Sequence, residues 1–452
     1  MNIIIAGNGK VGRTLARQLS QEGHDLTIID RSNRVLETSS DRIDAMMVLG
    51  NCASKQALLD AGIRQADLLI ATTNADEVNL LCCMTAHGLN PNLHTIARIR
   101  DPEYTDQVMT MRDIFPLSLT FNPERHAALE IERLLKFPGF LRRETFAKGR
   151  TQIVELRLGN DSKLCNLPLK ELGSVVKCKV LVCAVLRAGT AVAPSGNFVL
   201  KEGDRIFVTA PTSNLAILLK NLGIATRKVR KVLLCGGGML SYYLATLLED
   251  EKMDVTILEK DPARCKELAG LLPWASIVQA DCSSQIALDD QGLADCDAVV
   301  SLTGMDETNM ILSLYAGKQG VGQVVTKLSR SENTPLADSM SLGSIISPRE
   351  LCCNTIVSYV RAMANQTGAA ISVHAIADGQ VEALEFTVEE SARNCDIPLK
   401  QIKLKPNVLI VSITHGAQTQ IPNGDSRFMP GDTVVVVTSG RGVLQQFNDI
   451  FA

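Results

Sequence analysis

Two hydrophobic patterns alternate along the chain. Short apolar runs, such as Ile3-Ile4-Ile5-Ala6 and the centre of "DLTIID" at 25–30, lack the strict alternation of a half-exposed strand. They read as strands of a parallel sheet covered on both faces. Between them, apolar residues recur at helical spacing, as Val11, Leu15 and Leu19 do before Gly23. "MMVL" at 46–49, "ADLLIA" at 66–71 and "HTIARI" at 94–99 add a third, fourth and fifth strand. Strands alternating with helices predict an open, doubly wound α/β domain whose ligand crevice lies at the carboxyl ends of the strands.

The first strand runs directly into Gly7-Asn8-Gly9-Lys10-Val11-Gly12. In that setting a GxGxxG loop has a defined purpose. Gly7 makes the tight turn, Gly9 lets backbone approach a pyrophosphate, and Gly12 lets the helix lie close to the strand. The phosphates would rest on free N–H groups at the positive end of the helix. Asp30 closes the second strand 18 residues past Gly12. An acid at that place accepts ribose hydroxyls and repels a 2′-phosphate, so NAD(H) or another adenine nucleotide fits better than NADP(H). Asn51 and Cys52 end the third strand, and Thr72, Thr73 and Asn74 end the fourth. Arg98 on the fifth is placed either to reach a phosphate or to form a surface ion pair, and Asp76 and Glu77 to cap or charge a helix start.

The chain then repeats itself. "KVLLCGGGMLSYYLATLL" at 231–248 copies the first loop, and Gly7 to Gly236 and Asp30 to Glu259 are both 229 residues apart. Asp281 stands opposite Asn51 and Lys327 opposite Arg98. The second loop, Gly236-Gly237-Gly238-Met239-Leu240-Ser241, has serine for the third glycine, and Gly304 replaces Asn74. A nucleotide-shaped site with weaker or altered preference is expected there, with helix packing kept because serine is small.

A second repeat lies between the loops. "CNLPLKEL" at 165–172 matches "CDIPLKQI" at 395–402, and "APSGNFVLKEGDRIFV" at 193–208 matches "IPNGDSRFMPGDTVVV" at 421–436. Each reads as a small module of short strands, an ordinary Gly-Asp turn and a closing helix. A proline-started helix follows each large domain, "NPERHAALEIERLLKF" and "SPRELCCNTIVSYVRAM". It is placed to pack either on a partner subunit or within its own domain. The expected organisation is α/β: two Rossmann-like doubly wound parallel-sheet domains, 1–120 and 228–346, crossover helices over 121–137 and 347–366, and α+β modules over 138–227 and 367–452. Junctions are expected near Pro138-Gly139, Lys228–Lys231 and Thr367-Gly368.

At 452 residues with 46% hydrophobic and 21% charged positions, the chain can build several packed cores. A net charge of −3 argues against nucleic-acid binding through a broad basic field. No apolar run reaches membrane-spanning length. Met1 leads straight into a strand, so no signal peptide is expected. Thirteen cysteines include no CxxC, and the pairs Cys82–Cys83 and Cys352–Cys353 lack metal-ligand spacing, as do His87 and His94. Reduced, mostly buried thiols and no metal site are expected. The small modules offer no acid–base constellation beside a cofactor: the first has no histidine and the second only His374 and His415. That favours a regulatory nucleotide-binding subunit over the alternative, a duplicated NAD-dependent oxidoreductase.

Taken together, "GNGKVG…DLTIID", "GNCAS", "LLIATTNADEVN", "TIARIRD", the crossover helices and the twin "PLK…GD" modules resemble the Trk system potassium-uptake regulatory proteins of the TrkA type over essentially the whole chain. Their domains are called RCK or KTN domains. The resemblance implies a non-enzymatic protein, peripheral on the cytoplasmic face of the cell membrane, that forms a homo-oligomeric ring. Such a ring binds NAD(H) or ATP/ADP and gates an integral-membrane potassium transporter subunit of TrkH/TrkG type. Carried over by motif, the first site would use Gly7, Asn8, Gly9, Lys10, Val11, Gly12, Asp30, Asn51, Cys52, Thr73, Asn74 and Arg98. The second would use Gly236, Gly238, Met239, Leu240, Glu259, Asp281 and Lys327.

Overall fold

A computed structural model describes the chain except residues 41–42, 112–113, 115–116, 138, 160–161, 223–227, 331–339, 341, 364–369, 378, 440–443 and 445. Pro138, Thr367 and Gly368, where two junctions were expected, therefore lie outside the described residues.

The first sheet holds β1 (Asn2–Ala6), β2 (Asp25–Asp30), β3 (Met46–Leu49), β4 (Leu68–Ala71), β5 (His94–Arg98) and β6 (Leu119–Phe121). All are parallel and ordered β3-β2-β1-β4-β5-β6. The strand order reverses between β1 and β4, which places the ligand crevice of an open α/β sheet at the end of β1. Helices α1 (Lys10–Gln21), α2 (Asn33–Ser40), α3 (Lys55–Asp60), α4 (Asp76–Leu89) and α5 (Pro102–Thr110) connect the strands. The continuous apolar runs are explained by burial on both faces: Ile3, Ile4, Ile5 and Ala6 are at most 2% exposed. Helix α6 (Pro123–Lys136) follows, with Pro123 at its first position and the Asn122 side chain accepting from Arg125 N–H.

The first small module comprises β7 (Arg142–Phe146), β8 (Thr151–Arg157), α7 (Leu172–Val176), β9 (Leu181–Arg187), β10 (Thr190–Val192), β11 (Arg205–Pro211) and α8 (Thr212–Asn221). Its sheet is antiparallel, ordered β10-β9-β11-β8-β7. The second large sheet repeats the first topology with β12 (Lys231–Cys235), β13 (Asp254–Glu259), β14 (Ser276–Gln279), β15 (Ala298–Ser301), β16 (Gln323–Lys327) and β17 (Ser344–Ile346). Its helices are α9 (Met239–Asp250), α10 (Pro262–Leu271), α11 (Gln285–Asp290) and α12 (Asp306–Lys318), and α13 (Pro348–Met363) is the second crossover helix. The last module has β18 (Ala370–Ile376), β19 (Val381–Thr387), β20 (Val408–His415), β21 (Gln418–Gln420) and β22 (Thr433–Thr438), paired as in the first. Among the described residues it closes on a 3-10 turn, Phe447–Ile450, where the first module has α8.

The chain divides into two compact units, and the crossover helices are shared between them. One unit is Met1–Ala128 with Ser347–Tyr359, so the start of α13 packs on the first large domain. There Tyr359 OH lies 3.2 Å from His94 Nδ1, and the Cys353 thiol faces Val11 O. The other unit takes Leu129–Ile346 and Val360–Ala452. In it the end of α6 reaches the second large domain through Lys136 Nζ and Glu251 Oε1, 2.6 Å apart.

Within that second unit the two small modules pack sheet against sheet. Strand β22 shows how. Val434 and Val436 enter the module's own core with Phe386 and Phe428. Val435 and Val437 turn to the opposite face and join Phe146, Ile153 and Phe207 of the first module. Fully burying each such side chain stabilises the fold by about 1.5–3 kcal/mol. The Gly-Asp turns are more than turn chemistry. Buried Asp204 accepts both arms of the Arg187 fork at 2.8 and 2.7 Å and caps Lys201 N–H.

Charged groups rim this junction. Glu144, 11% exposed, lies 2.7 Å from Arg142 and 2.6 Å from His374 Nδ1. Burial pushes its carboxyl up, but Arg142 and then His374 outweigh that and hold it at about 2. Glu130 on α6 has the opposite fate. Burial, then the Glu144 charge, raise it from 4.5 to about 7, and Arg133 and Arg142 offset only part.

Candidate nucleotide-binding site

A cavity of about 600 Å3 opens at the end of β1, between the glycine loop and the tips of β2, β3 and β4. That is within the usual range for a small-molecule site. Gly7, Asn8, Gly9, Lys10, Asp30, Cys52, Thr73 and Asn74, all expected, line it.

The glycines divide the work as the spacing suggests. Gly7 sits at φ +99°, and a Cβ there would meet Thr73 N at 3.0 Å. A Cβ on Gly12 would stand 2.0 Å from Gly7 O, which is why α1 can lie so close to the loop. A Cβ on Gly9 meets nothing within 4 Å, so that face of the loop is open for a ligand.

Asp30 does more than await a ribose. Its two carboxylate oxygens accept from Asn8 N–H at 2.7 Å and Ser32 N–H at 2.9 Å, tying the glycine loop to the end of β2. Each oxygen retains a further lone pair for a ligand hydroxyl. Beneath the loop, buried Asn8 donates to Ser39 Oγ and Val35 O.

Four expected residues stand elsewhere. Val11 and Gly12 are buried in α1 behind the loop. Asn51 is exposed, and its Oδ1 accepts from Ala53 N–H two residues on. Arg98 pairs with Glu124 at 3.5 Å, and burial holds its guanidinium below its usual value. The Cys52 thiol is lowered by a hydrogen bond from Cys82, against the effect of burial.

Several lining residues were missed: Arg13, Ile29, Arg31, Val35, Gly50, Thr72, Ala75 and Val78. Thr72 had been placed at the strand end but not assigned to the site. Arg13 was legible, one turn after Lys10 on α1, and Arg31 directly follows Asp30. With exposed Lys10, Arg13 and Arg31 against one acid, the mouth carries a positive balance suited to phosphate. Asn79 supports the far wall. Its Oδ1 accepts from Thr73 N–H and Oγ1, and its Nδ2 donates to Arg98 O at 2.9 Å. Asp76, one position after the Ala75 cap of α4, takes Arg100 and Asp101 N–H instead of capping its own helix.

The second copy keeps this frame. Gly236 is at φ +108°, and Glu259 accepts from Gly237 N–H at 2.7 Å and Asp261 N–H at 2.9 Å. Asn309 repeats the Asn79 brace between Thr303 and Lys327 O. Ser241 fits because its hydroxyl donates to Gly236 O. Asp281 turns back on Ser283, and Lys327 Nζ bonds Leu302 O at 2.9 Å. Gly238 faces open space, Met239 opens α9, and Leu240 is buried in it.

The family model described as the TrkA-N domain matches residues 3–113 and 232–348, and the TrkA-C domain model matches 153–223 and 383–452. The chain belongs to the TrkA family. Among its relatives, the Trk system potassium uptake protein TrkA homolog 1 of Methanosarcina mazei is 31% identical, over 96% of this chain and 97% of that protein. TrkA of Haemophilus influenzae is 27% identical over 100% of this chain and 98% of that one. The RCK domain of GsuK shares the fold, with a TM-score of 0.64 at 16% identity, covering 96% of this chain and 92% of that one. The GsuK channel bound to NAD gives a TM-score of 0.62 at 16% identity, with 97% and 76% covered. Membership of the TrkA family places the chain among regulatory proteins of potassium uptake and not among dehydrogenases. Among the described residues no helix is long and apolar enough to cross a membrane.

Proposed function

We propose that this TrkA-family chain is the nucleotide-responsive subunit of a potassium-uptake system. An adenine nucleotide, NAD(H) or ATP/ADP, occupies the first cleft and shifts a homo-oligomeric ring on the cytoplasmic face of the membrane. The ring in turn gates a separate integral-membrane transporter of TrkH/TrkG type. The observation that carries the reading is the cavity at the β1 switch point, where an open glycine face meets Lys10, Arg13, Arg31 and Asp30. The potassium-uptake names of the relatives and the NAD-bound state of GsuK support it. A ligand acts on such a ring only through its preference for one conformation, with couplings of about 1–3 kcal/mol.

Gly9→Val is a clean test, since Gly9 has ordinary extended backbone and nothing within 4 Å of its Cβ. The variant keeps its fold and fills the ligand's space. Potassium flux into liposomes holding the transporter and wild-type protein should respond to NADH or ATP, and with Gly9→Val it should not. Equal responses from both proteins would remove the first cleft from the mechanism.

A further inference from the structure

The two clefts differ at the place of Val35. Val35 lines the first cavity, and its counterpart 229 positions on is Arg264, in the first turn of α10. The Arg264 side chain is only 19% exposed. Its Nε donates to Gly237 O at 2.7 Å, Nη2 reaches Met239 Sδ at 3.9 Å, and Nη1 pairs with Glu267 at 2.7 Å. Gly237 and Met239 correspond to Asn8 and Lys10, both of which line the first cavity. The guanidinium therefore lies against the second loop at Gly237 and Met239, while the Gly238 face stays open.

The surroundings have changed to match. Leu268 stands where Ser39 stands in the first copy, and a Cβ on Gly237 would meet Leu268 Cδ1 at 2.7 Å. The polar Asn8–Ser39 pair has become a glycine under a leucine. Lys10 and Arg13, cations on the helix that opens the first cleft, are replaced by Met239 and Tyr242. A phosphate entering the second cleft meets no helix-borne cation at those positions. Exposed Lys260 keeps the place of Arg31, and Arg264 is engaged by the loop carbonyl and by Glu267.

We propose that Arg264 is a built-in stopper that keeps adenine nucleotide out of the second cleft, so that each chain takes up one nucleotide, at the first. A planar guanidinium held by a carbonyl, a thioether and a carboxylate is a fixed obstacle, unlike a mobile lysine. The inference rests on the nucleotide reading of the first cleft, and its test separates the two. Calorimetric titration of the full chain with ADP and with NADH should give one site per chain for wild type and none for Gly9→Val. Arg264→Val, which installs the first copy's residue, should give two, and the Gly9→Val/Arg264→Val double variant one. Arg264→Ala carries the same expectation with a better helix former, and circular dichroism verifies the fold of each. One site surviving in Gly9→Val alone overturns the stopper, as does a single site in Arg264→Val together with none in the double variant. If wild type binds nothing while Arg264→Val binds one, the first-cleft reading falls and the stopper stands.

Discussion

Exchanging two residues of the first loop for their counterparts in the second should cost less than the two exchanges made singly. In the first copy Thr72 Oγ1 donates to Gly7 O at 2.7 Å. A Cβ on Gly12 would stand 2.0 Å from that oxygen and 2.8 Å from the Thr72 hydroxyl. In the second copy the threonine is Leu302, the glycine is Ser241, and the serine hydroxyl supplies the bond to Gly236 O. One acceptor thus takes its donor from either of two neighbours. Gly12→Ser alone crowds two hydroxyls onto Gly7 O. A carbon–oxygen contact settles near 3.3 Å, so α1 must retreat by roughly 1 Å, and overpacking of this kind costs about 1–3 kcal/mol. Thr72→Leu alone removes the donor from a buried carbonyl, again about 1–3 kcal/mol. The double variant rebuilds the second copy's arrangement, and should recover about 1–2 kcal/mol of the summed cost, as contacting residues do.

The assay must read this unit alone, because a chain of several packed units has no single unfolding energy. Trp274, the chain's one tryptophan, lies in the other unit and would not report on it. Amide hydrogen exchange of β1 and α1 gives the local opening energy directly. Four proteins complete the cycle. Additivity within about 0.5 kcal/mol would show that Thr72 and position 12 do not share Gly7 O, and the reasoning fails.

Other expectations follow from the same geometry. Asp30→Ala removes the acceptor for Asn8 and Ser32 N–H, so exchange at both amides should quicken by the equivalent of about 1.5–3 kcal/mol, even without nucleotide. ADP or NADH affinity should also fall at least about tenfold; unchanged amide protection would show that the acid serves the ligand alone. Glu130 has a folded-state value raised to about 7, so its contribution is fully present below 4.5 and is lost as pH rises through 7. Glu130→Gln should therefore gain stability relative to wild type between pH 5 and pH 8, by up to about 3 kcal/mol, read as the opening energy of α6 by amide hydrogen exchange. A difference that does not move with pH would mean the carboxyl is not held protonated.

How much of this was legible depends on what a position-by-position reading can see. The parallel sheets, the repeat at 229 residues and half of the residues lining the first cleft follow from local patterns, because loop, strand end and acid are fixed by backbone geometry along one stretch of chain. Arg98 shows the limit. Its place at the end of β5 is readable, but side chains alternate across a strand, and only the fold brings Glu124 beside it. Strand β22 shows it again: an unbroken run of valines says both faces are covered, and not that one face meets a second module. The divergence of the clefts is hidden for a further reason. Gly237 and Ser241, taken singly, look like mild wear of a glycine loop. They make sense only with partners distant in sequence: Leu268 under Gly237, as Ser39 lies under Asn8, and Leu302 beside Ser241, as Thr72 lies beside Gly12. In both pairs the second copy trades a polar partnership for an apolar or self-satisfied one while the strand order stays the same. The exchanges between the copies keep the frame and remove the two helix-borne cations of the first mouth, Lys10 and Arg13, while Lys260 keeps the place of Arg31. The side chain new to the second copy is Arg264, held on the Gly237 carbonyl, and the single occupancy proposed for each chain turns on it.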